Sequence, residues 1–174
     1  PSSGKTEFVL TSARTLSVEL ARQPVICLPT SVQKRSAQAR LAAMGGAFGL
    51  RLFTFDTLWA WFLDSTRQPY KEPVASAQFR LMEQLLAALA KRGELTHFGA
   101  IAQTTGLVEV MRERVLELAH AQVDPDALLA HWQIENAPPR LLDIARIYCA
   151  WRDALAERNW VDRPGVGRLA LEAG

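Results

Sequence analysis

Pro1-Ser2-Ser3-Gly4-Lys5-Thr6, at the start of the chain, matches the last six positions of the pattern G-x-x-x-x-G-K-[ST]. We expect the first glycine of the pattern two residues before Pro1, with a strand ahead of it. In such a loop, small residues and Gly4 let consecutive backbone N–H groups turn towards a phosphate at the start of a helix. Lys5 is placed to reach the β and γ phosphates, and the Thr6 hydroxyl to bind Mg²⁺. The sequence therefore predicts a site for ATP and Mg²⁺ at Ser3, Gly4, Lys5 and Thr6, with Thr6 as the metal ligand.

The residues after this motif alternate between helix and strand patterns. Residues 5–21 have apolar side chains at helical spacing, and residues 31–44 and 56–66 are predicted as two further helices. Val25-Ile26-Cys27-Leu28 is a continuous apolar run, typical of a strand buried on both faces, and residues 50–55 are a second strand candidate. This order predicts an α/β lobe of parallel strands with crossover helices.

From about residue 69 the predicted elements are helical. Pro69 and Pro73 mark the break. Helices are predicted over residues 75–91, 107–121 and 125–133, from Pro139 to about Arg158, and as a short element in the tail, 162–174. The predicted fold class is therefore α/β, with a partial P-loop lobe over residues 1–68 and an all-helical lobe over residues 69–174.

Length and composition narrow the class of protein. The 174 residues are enough for one ordinary domain or two small lobes, and 49% of them are hydrophobic. No apolar run approaches the roughly 18 residues of a membrane-spanning helix, and no secretory signal is visible. Cys27 and Cys149 lie in apolar stretches that predict buried, reduced thiols, and His97, His120 and His131 lack metal-ligand spacing. We therefore predict a cytoplasmic protein without membrane contact, and no metal apart from Mg²⁺ bound with nucleotide.

The net charge of +2 is unevenly distributed along the chain. Residues 1–70 contain eight Lys or Arg against four Asp or Glu, whereas residues 124–174 contain six against eight. One stretch without a single acid holds five cations: Arg22, Lys34, Arg35, Arg40 and Arg51. Such an excess suits a polyanion partner, and a solvated helix face with clustered charges is the alternative.

The junction after the first strand suits contact with nucleic acid. Thr30 or Ser31 is placed to cap the helix over residues 31–44, with Lys34 and Arg35 one turn further on. Hydroxyls, backbone amides and cations at a helix start fit the sugar–phosphate backbone. These four residues are therefore predicted to contact nucleic acid.

The junction after the second strand has the same placement. Thr54 and Phe55 end the strand candidate, where ligands of open α/β sheets gather, so both are predicted contacts to nucleic acid. Phe55 is predicted either to stack on a base or to pack in the core. Asp56 either caps the helix over residues 56–66 or serves as the acid that holds Mg²⁺. The five tryptophans lie mainly in helical stripes and are expected to pack: Trp59, Trp61, Trp132, Trp151 and Trp160.

Several segments share a pattern with one enzyme family. They are Ser3-Gly4-Lys5-Thr6, Ile26-Cys27-Leu28-Pro29-Thr30-Ser31, Leu52-Phe53-Thr54-Phe55-Asp56-Thr57-Leu58-Trp59, Thr105-Gly106-Leu107-Val108, Glu117-Leu118, Val123-Asp124-Pro125-Asp126-Ala127-Leu128, Ile147-Tyr148-Cys149-Ala150-Trp151, Leu155 and Val161-Asp162. With them the chain resembles the N-terminal part of superfamily 1 helicases of the UvrD type, and in particular the AddB-type subunits of AddAB helicase–nucleases. The resemblance covers nearly the whole chain, and only the phosphate-loop segment is specific by itself.

The resemblance implies a RecA-like (1A-type) first lobe with a helical 1B-type insertion from about residue 69. It also implies ATP at the phosphate loop and single-stranded DNA crossing the sheet edge near residues 29–31 and 54–57. The parent protein would be a subunit of an ATP-dependent helicase–nuclease in double-strand break repair. It would act on single-stranded or end-bearing double-stranded DNA beside an AddA-type subunit. Because the family's Walker B acid, second RecA-like lobe and nuclease domain are not among these residues, we expect the chain by itself to be inactive.

Two other hypotheses stay open from the residues. A small-molecule P-loop kinase would use Asp56 as the acid for Mg²⁺ and the helices as a substrate lid. A non-catalytic helical interaction module would carry the phosphate loop as a relic, with Lys5 as an ordinary lysine at a helix start. Binding of ATP separates the last hypothesis from the others, and stimulation of hydrolysis by DNA separates the helicase from the kinase.

Overall fold

The N-terminal part of the chain holds three helices and two short strands. The computed structural model describes residues 4–18 and 22–173, and the chain divides into two compact units, Pro1–Arg67 and Gln68–Gly174. The elements of the first unit are α1 Lys5–Val18, β1 Val25–Cys27, α2 Ser31–Ala43, β2 Arg51–Phe53 and α3 Phe55–Ser65. The helix predicted over residues 5–21 is thus present as far as Val18, and residues 19–21 lie outside the described part.

The sheet of the first unit is much smaller than predicted. β1 and β2 have three residues each and pair in parallel, with Ile26 opposite Leu52, and the described residues contain no further strand. Helices account for 68% of the described residues. The prediction of an α/β, RecA-like lobe built on a parallel sheet with crossover helices is therefore wrong, because the chain is mostly helical.

The error comes from the apolar run at residues 25–28. Such a run predicts a strand covered on both faces, but Val25 is 44% exposed and the rest of β1 is only partly buried. β2 repeats this pattern, with an exposed Arg51 followed by two partly buried residues. The main buried cluster of the unit lies between α1 and α2: Leu10, Ala37 and Leu41. The strand residues that pack against this cluster are only partly buried.

Every regular element in the described part of the second unit is helical. The elements are α4 Ala75–Lys91, a 3₁₀ helix Gly99–Ile101, α5 Thr105–His120, α6 Pro125–Ile134, α7 Pro139–Glu157 and α8 Arg163–Glu172. The helices predicted over residues 75–91 and from Pro139 onward are confirmed. α6 begins as predicted, since the Asp124 carboxylate accepts the N–H of Ala127 at 2.8 Å and Pro125 takes the first helical position.

One apolar core fills the second unit. Its most buried side chains come from α4, α5 and α7 and include Met82, Leu86, Val115, Ile147 and Trp151. Trp151 is 1% exposed, so its predicted packing role is confirmed, and Trp160 is partly buried against the same cluster. Although these helices bury apolar faces, none in the described residues is long and apolar enough to cross a membrane.

A buried carboxylate joins the loop after α4 to α7. Asp143 is fully buried and accepts hydrogen bonds from the backbone N–H groups of Thr96 (3.1 Å), His97 (2.8 Å) and Phe98 (3.0 Å). Arg146, one turn along α7, pairs with the same carboxylate at 3.2 Å. These donors compensate the carboxylate for its lost hydration. The loop that leads to the 3₁₀ helix is therefore held by a residue 45 to 47 positions away.

Candidate functional site

The backbone at Gly4 has the conformation that a phosphate loop needs. Its φ is +61°, in the left-handed region, and Lys5 directly after it begins α1. A Cβ added at Gly4 would meet nothing within 4 Å, so the glycine is required by its φ and not by crowding. A left-handed residue followed by a right-handed one turns successive N–H groups to one side, which forms an anion-binding nest.

The side chains of the predicted ATP and Mg²⁺ site lie in the first turn of α1. Lys5 and Thr6 are both exposed, as is Gly4. Among the described residues, the Lys5 ammonium has no ion-pair or hydrogen-bond partner. Ser3 falls outside the described residues. The N-terminus of α1 thus offers a cation, a hydroxyl and backbone N–H groups to the same ligand.

The helices α1 and α2 run in the same direction. Leu10, in the middle of α1, packs with Ala37 and Leu41 of α2. Near the end of α1, Arg14 Nε donates to the carbonyl oxygen of Gly46 at 3.0 Å, just beyond the end of α2. The middle of α1 thus lies beside α2, and the end of α1 lies beside the end of α2. We infer that both helices also begin at the same side of the unit.

The helices α2 and α3 start at the carboxyl ends of β1 and β2. The strands are parallel, with Cys27 opposite Phe53, so these two ends lie at one edge. Leu28 N donates to Phe53 O at 2.8 Å and continues the pairing past β1. Thr30 and Thr54 follow as the N-caps of α2 and α3. The N-termini of α1, α2 and α3 therefore share one edge of the first unit, which we call the N-terminal edge.

Thr30 closes the start of α2. Its hydroxyl accepts the N–H of Gln33 at 3.2 Å, which confirms Thr30, of the two candidates, as the N-cap. Ser31 becomes the first residue of the helix and is exposed. Because an accepting hydroxyl keeps its own proton, Thr30 can still donate to a phosphate oxygen.

A reciprocal pair of threonines closes the start of α3. Thr57 Oγ1 accepts the N–H of Thr54 at 2.9 Å, while Thr54 Oγ1 accepts the N–H of Thr57 at 3.5 Å. The prediction that Asp56 caps this helix is therefore wrong, because α3 begins one residue earlier, at Phe55. Asp56 lies instead in the first turn and is exposed. The spacing of Thr54 and Thr57, like that of a capping box, is the sequence pattern that could have found this start.

Phe55 lies at the surface of the N-terminal edge. Its side chain is 55% exposed, and its ring centroid lies 6.3 Å from that of Trp59 with a tilt of 33°. Of the two predicted placements, core and surface, the structure has the surface one. An exposed ring backed by a second ring has a free face on which a base can stack.

The cations of the acid-free stretch are divided between the two edges. Lys34, half-buried, and Arg35, exposed, follow the start of α2, which has no acidic residue in its first turn. Arg51 begins β2 at the opposite edge, where its guanidinium lies 5.1 Å from the ring centroid of Trp61. Arg40 lies in the last turn of α2. Of these four cations, Lys34 and Arg35 are the two near the N-terminal edge.

The donors at the N-terminal edge fit Mg²⁺ only when it arrives with phosphate. The described residues contain no group of three His, Cys, Asp or Glu side chains that could hold a metal ion. Thr6 offers one neutral oxygen, and Asp56 lies in the first turn of α3 at the same edge. A hard cation with so few protein ligands takes its other oxygens from phosphates and water.

No protein-family model matches this chain, and no curated protein matches it either. The candidate site therefore depends on this chain's own residues. Three features carry it: the left-handed glycine, the lysine and threonine that follow it, and the common edge of three helix N-termini.

Proposed function

We propose that the first unit binds the triphosphate of ATP, together with Mg²⁺, at the start of α1. The main support is the left-handed φ of Gly4, +61°, immediately before Lys5 in a G-K-T sequence. A glycine in an ordinary helix start needs no such conformation, since caps of helices prefer extended backbone. The G-K-T sequence and the backbone conformation of Gly4 therefore both support phosphate binding at the start of α1.

Each residue of the site has a distinct part in this binding. Backbone N–H groups after Gly4 donate to phosphate oxygens, and the positive end of α1 favours their charge. Lys5 is a mobile cation whose stem is long enough to follow the outer phosphates. Thr6 supplies a hydroxyl oxygen to Mg²⁺, and the cation in turn neutralises phosphate charge.

We further propose that the chain belongs to a cytoplasmic, ATP-dependent helicase–nuclease subunit that acts in double-strand break repair with an AddA-type partner. This proposal depends on the motifs that resemble AddB-type subunits and no longer on the fold of the first lobe. DNA, single-stranded or at a duplex end, would run along the N-terminal edge. The contacts proposed for it are Thr30, Ser31, Lys34, Arg35, Thr54 and Phe55.

Calorimetry with Mg·ATP tests the nucleotide site in the full-length protein. We expect Lys5→Ala to abolish binding while the far-UV circular dichroism spectrum stays unchanged. Lys91→Ala is the matched control, because Lys91 is an exposed lysine at the end of α4 in the other unit. Equal ATP affinity of the Lys5 variant and the wild type would overturn the proposal.

Hydrolysis assays test the wider role. A helicase–nuclease subunit should hydrolyse ATP faster, or bind it more tightly, when single-stranded DNA is added. A small-molecule kinase would show no response to DNA, and a relic loop would show no ATP binding at all. ATP use without any response to DNA would exclude the DNA-handling role and favour the kinase. Absence of ATP binding would exclude it as well and favour the relic loop.

A further inference from the structure

A short segment at the start of the second unit lies against the loop before α8. This strap, residues 71–73, is joined to the loop by the N–H of Val161, which donates to the carbonyl oxygen of Lys71 at 3.0 Å. The ammonium of Lys71 also lies 5.5 Å from the ring centroid of Trp160. A backbone hydrogen bond and a cation–π contact therefore hold the same residue.

Two more contacts hold the rest of the strap. Glu72 Oε1 lies 3.3 Å from Nε of Arg163, the first residue of α8. The carbonyl oxygen of Pro73 accepts a hydrogen bond from Nε2 of the buried Gln78, on α4, at 2.8 Å. The strap is thus attached to α8 at one end and to α4 at the other.

α8 packs against α5 and is also held at its start by polar contacts. Its buried side chains, Val166 and Ala170, are not members of the main apolar cluster of the described second unit. The Asp162 carboxylate anchors the start of the helix by accepting from Trp151 Nε1 at 3.1 Å and from Gly165 N at 3.0 Å. Segments that bury few apolar contacts open first in local unfolding. We therefore expect α8 to open more readily than α4, α5 and α7, which share the main apolar cluster.

We propose that the strap is a latch that keeps α8 on the helical bundle. With the latch closed, residues 71–73 hold the loop before α8 in place. With it open, α8 detaches as one segment while α4, α5 and α7 keep their common core. The strap begins four residues after Arg67, where the first unit ends, so the chain that joins the two units leads directly into the latch. The latch also forms part of the wall of a pocket of about 500 Å³ lined by Glu72, Pro73, Leu116, His120 and Arg163.

Hydrogen exchange followed by mass spectrometry on the full chain tests the latch. We expect Glu72→Arg, and separately Arg163→Glu, to speed exchange of the α8 amides about three- to tenfold, because attraction between two partly exposed charges becomes repulsion. The double variant Glu72→Arg/Arg163→Glu restores an attractive pair and should return α8 exchange towards the wild-type rate. Glu83→Arg is the matched control, since it reverses a comparable exposed pair, Arg80–Glu83, away from α8.

Three results would overturn the latch. The first is unchanged α8 exchange in both single variants, and the second is equal acceleration in α4, α5 and α7, which would mean general destabilisation. The third is failure of the double variant to slow exchange again. Trypsin gives an independent readout, because Arg168 lies within α8 and the bond after it should be cut faster only when the latch is open. Equal cleavage after Arg168 in the wild type and the single variants would also count against the latch.

Discussion

The fully buried carboxylate of Asp143 on α7 lies 2.8 Å from the backbone nitrogen of His97, in the loop that follows α4. The N–H groups of Thr96 and Phe98 donate to the same carboxylate. A side chain on one helix thereby replaces the backbone partners that this loop lacks. Because Asp143 is shielded from water, removing its carboxylate should cost more in the free energy of unfolding than breaking an exposed ion pair would.

Replacing Asp143 by Asn should destabilise the second unit. The amide cannot accept from all of these donors and turns an N–H₂ group towards some of them, so we expect a loss of about 2–4 kcal/mol in the free energy of unfolding. Urea titrations followed by circular dichroism measure this loss. Asp153→Asn, on the exposed side of the same helix, should change stability by no more than about 0.5 kcal/mol. Similar midpoints for the two variants would contradict the role given to Asp143.

Replacing Gly4 by Ala should weaken ATP binding without unfolding the protein. The added Cβ has free space, so the effect comes only from the left-handed φ, which costs an alanine roughly 1–2 kcal/mol. We expect about a tenfold lower affinity for Mg·ATP, measured by calorimetry on the full-length protein. Gly106→Ala is the control, because Gly106 lies in the first turn of α5 and also has free space for a Cβ. Full ATP affinity in Gly4→Ala would show that the loop does not need this conformation.

Reversing the charges of Lys34 and Arg35 to Glu should weaken binding of single-stranded DNA. Each phosphate contact that is lost should lower the slope of log K against log salt by about 0.7. Fluorescence anisotropy with a labelled oligonucleotide over a range of salt concentrations measures that slope. The double variant Arg80→Glu/Lys91→Glu makes the same change of net charge on α4 and should leave the slope unaltered. If both double variants shift the slope equally, the effect belongs to overall charge and not to the N-terminal edge.

The thiol of Cys149 should react slowly with alkylating reagents in the folded protein. Burial, with a contribution from the negative charge of Asp126, raises the pKa of Cys149 to about 11. Since only the thiolate reacts, alkylation at pH 8 should be on the order of a hundredfold slower than in the urea-unfolded chain and should accelerate as the pH rises towards 11. A Cys27→Ser background isolates this thiol, because burial also raises the pKa of Cys27. Rapid alkylation of the folded variant at pH 8 would contradict the placement of Cys149.

Local interactions explain why many elements could be predicted. The apolar spacing of α4 and the Asp124-Pro125 start of α6 act within one or two turns, so the sequence alone contains them. The same holds for Gly4-Lys5-Thr6, whose pattern predicted a helix start that the structure contains. The start of α3 depends on a pair of residues, because Thr54 caps the helix together with Thr57. A prediction from a single residue, Asp56, therefore placed this cap wrongly.

Contacts between distant residues explain what could not be predicted. The strands β1 and β2 are only partly buried, and an apolar run in the sequence does not show how much of a strand the rest of the chain will cover. The partners of Asp143 lie 45 to 47 positions away, and Val161 bonds to a residue far earlier in the chain, Lys71. No periodicity or spacing marks such pairs, since they meet only after the helices have packed.

The amino-acid sequence by itself determined where most helices begin and end and placed a glycine, a lysine and a threonine in the order that phosphate binding requires. These features depend on backbone hydrogen bonds and caps between neighbouring residues. Only the tertiary structure decided that the first unit is mostly helical and that three helix N-termini share one edge. Helix direction and strand burial depend on which side chains other parts of the chain cover after packing. No single segment of the sequence contains that information.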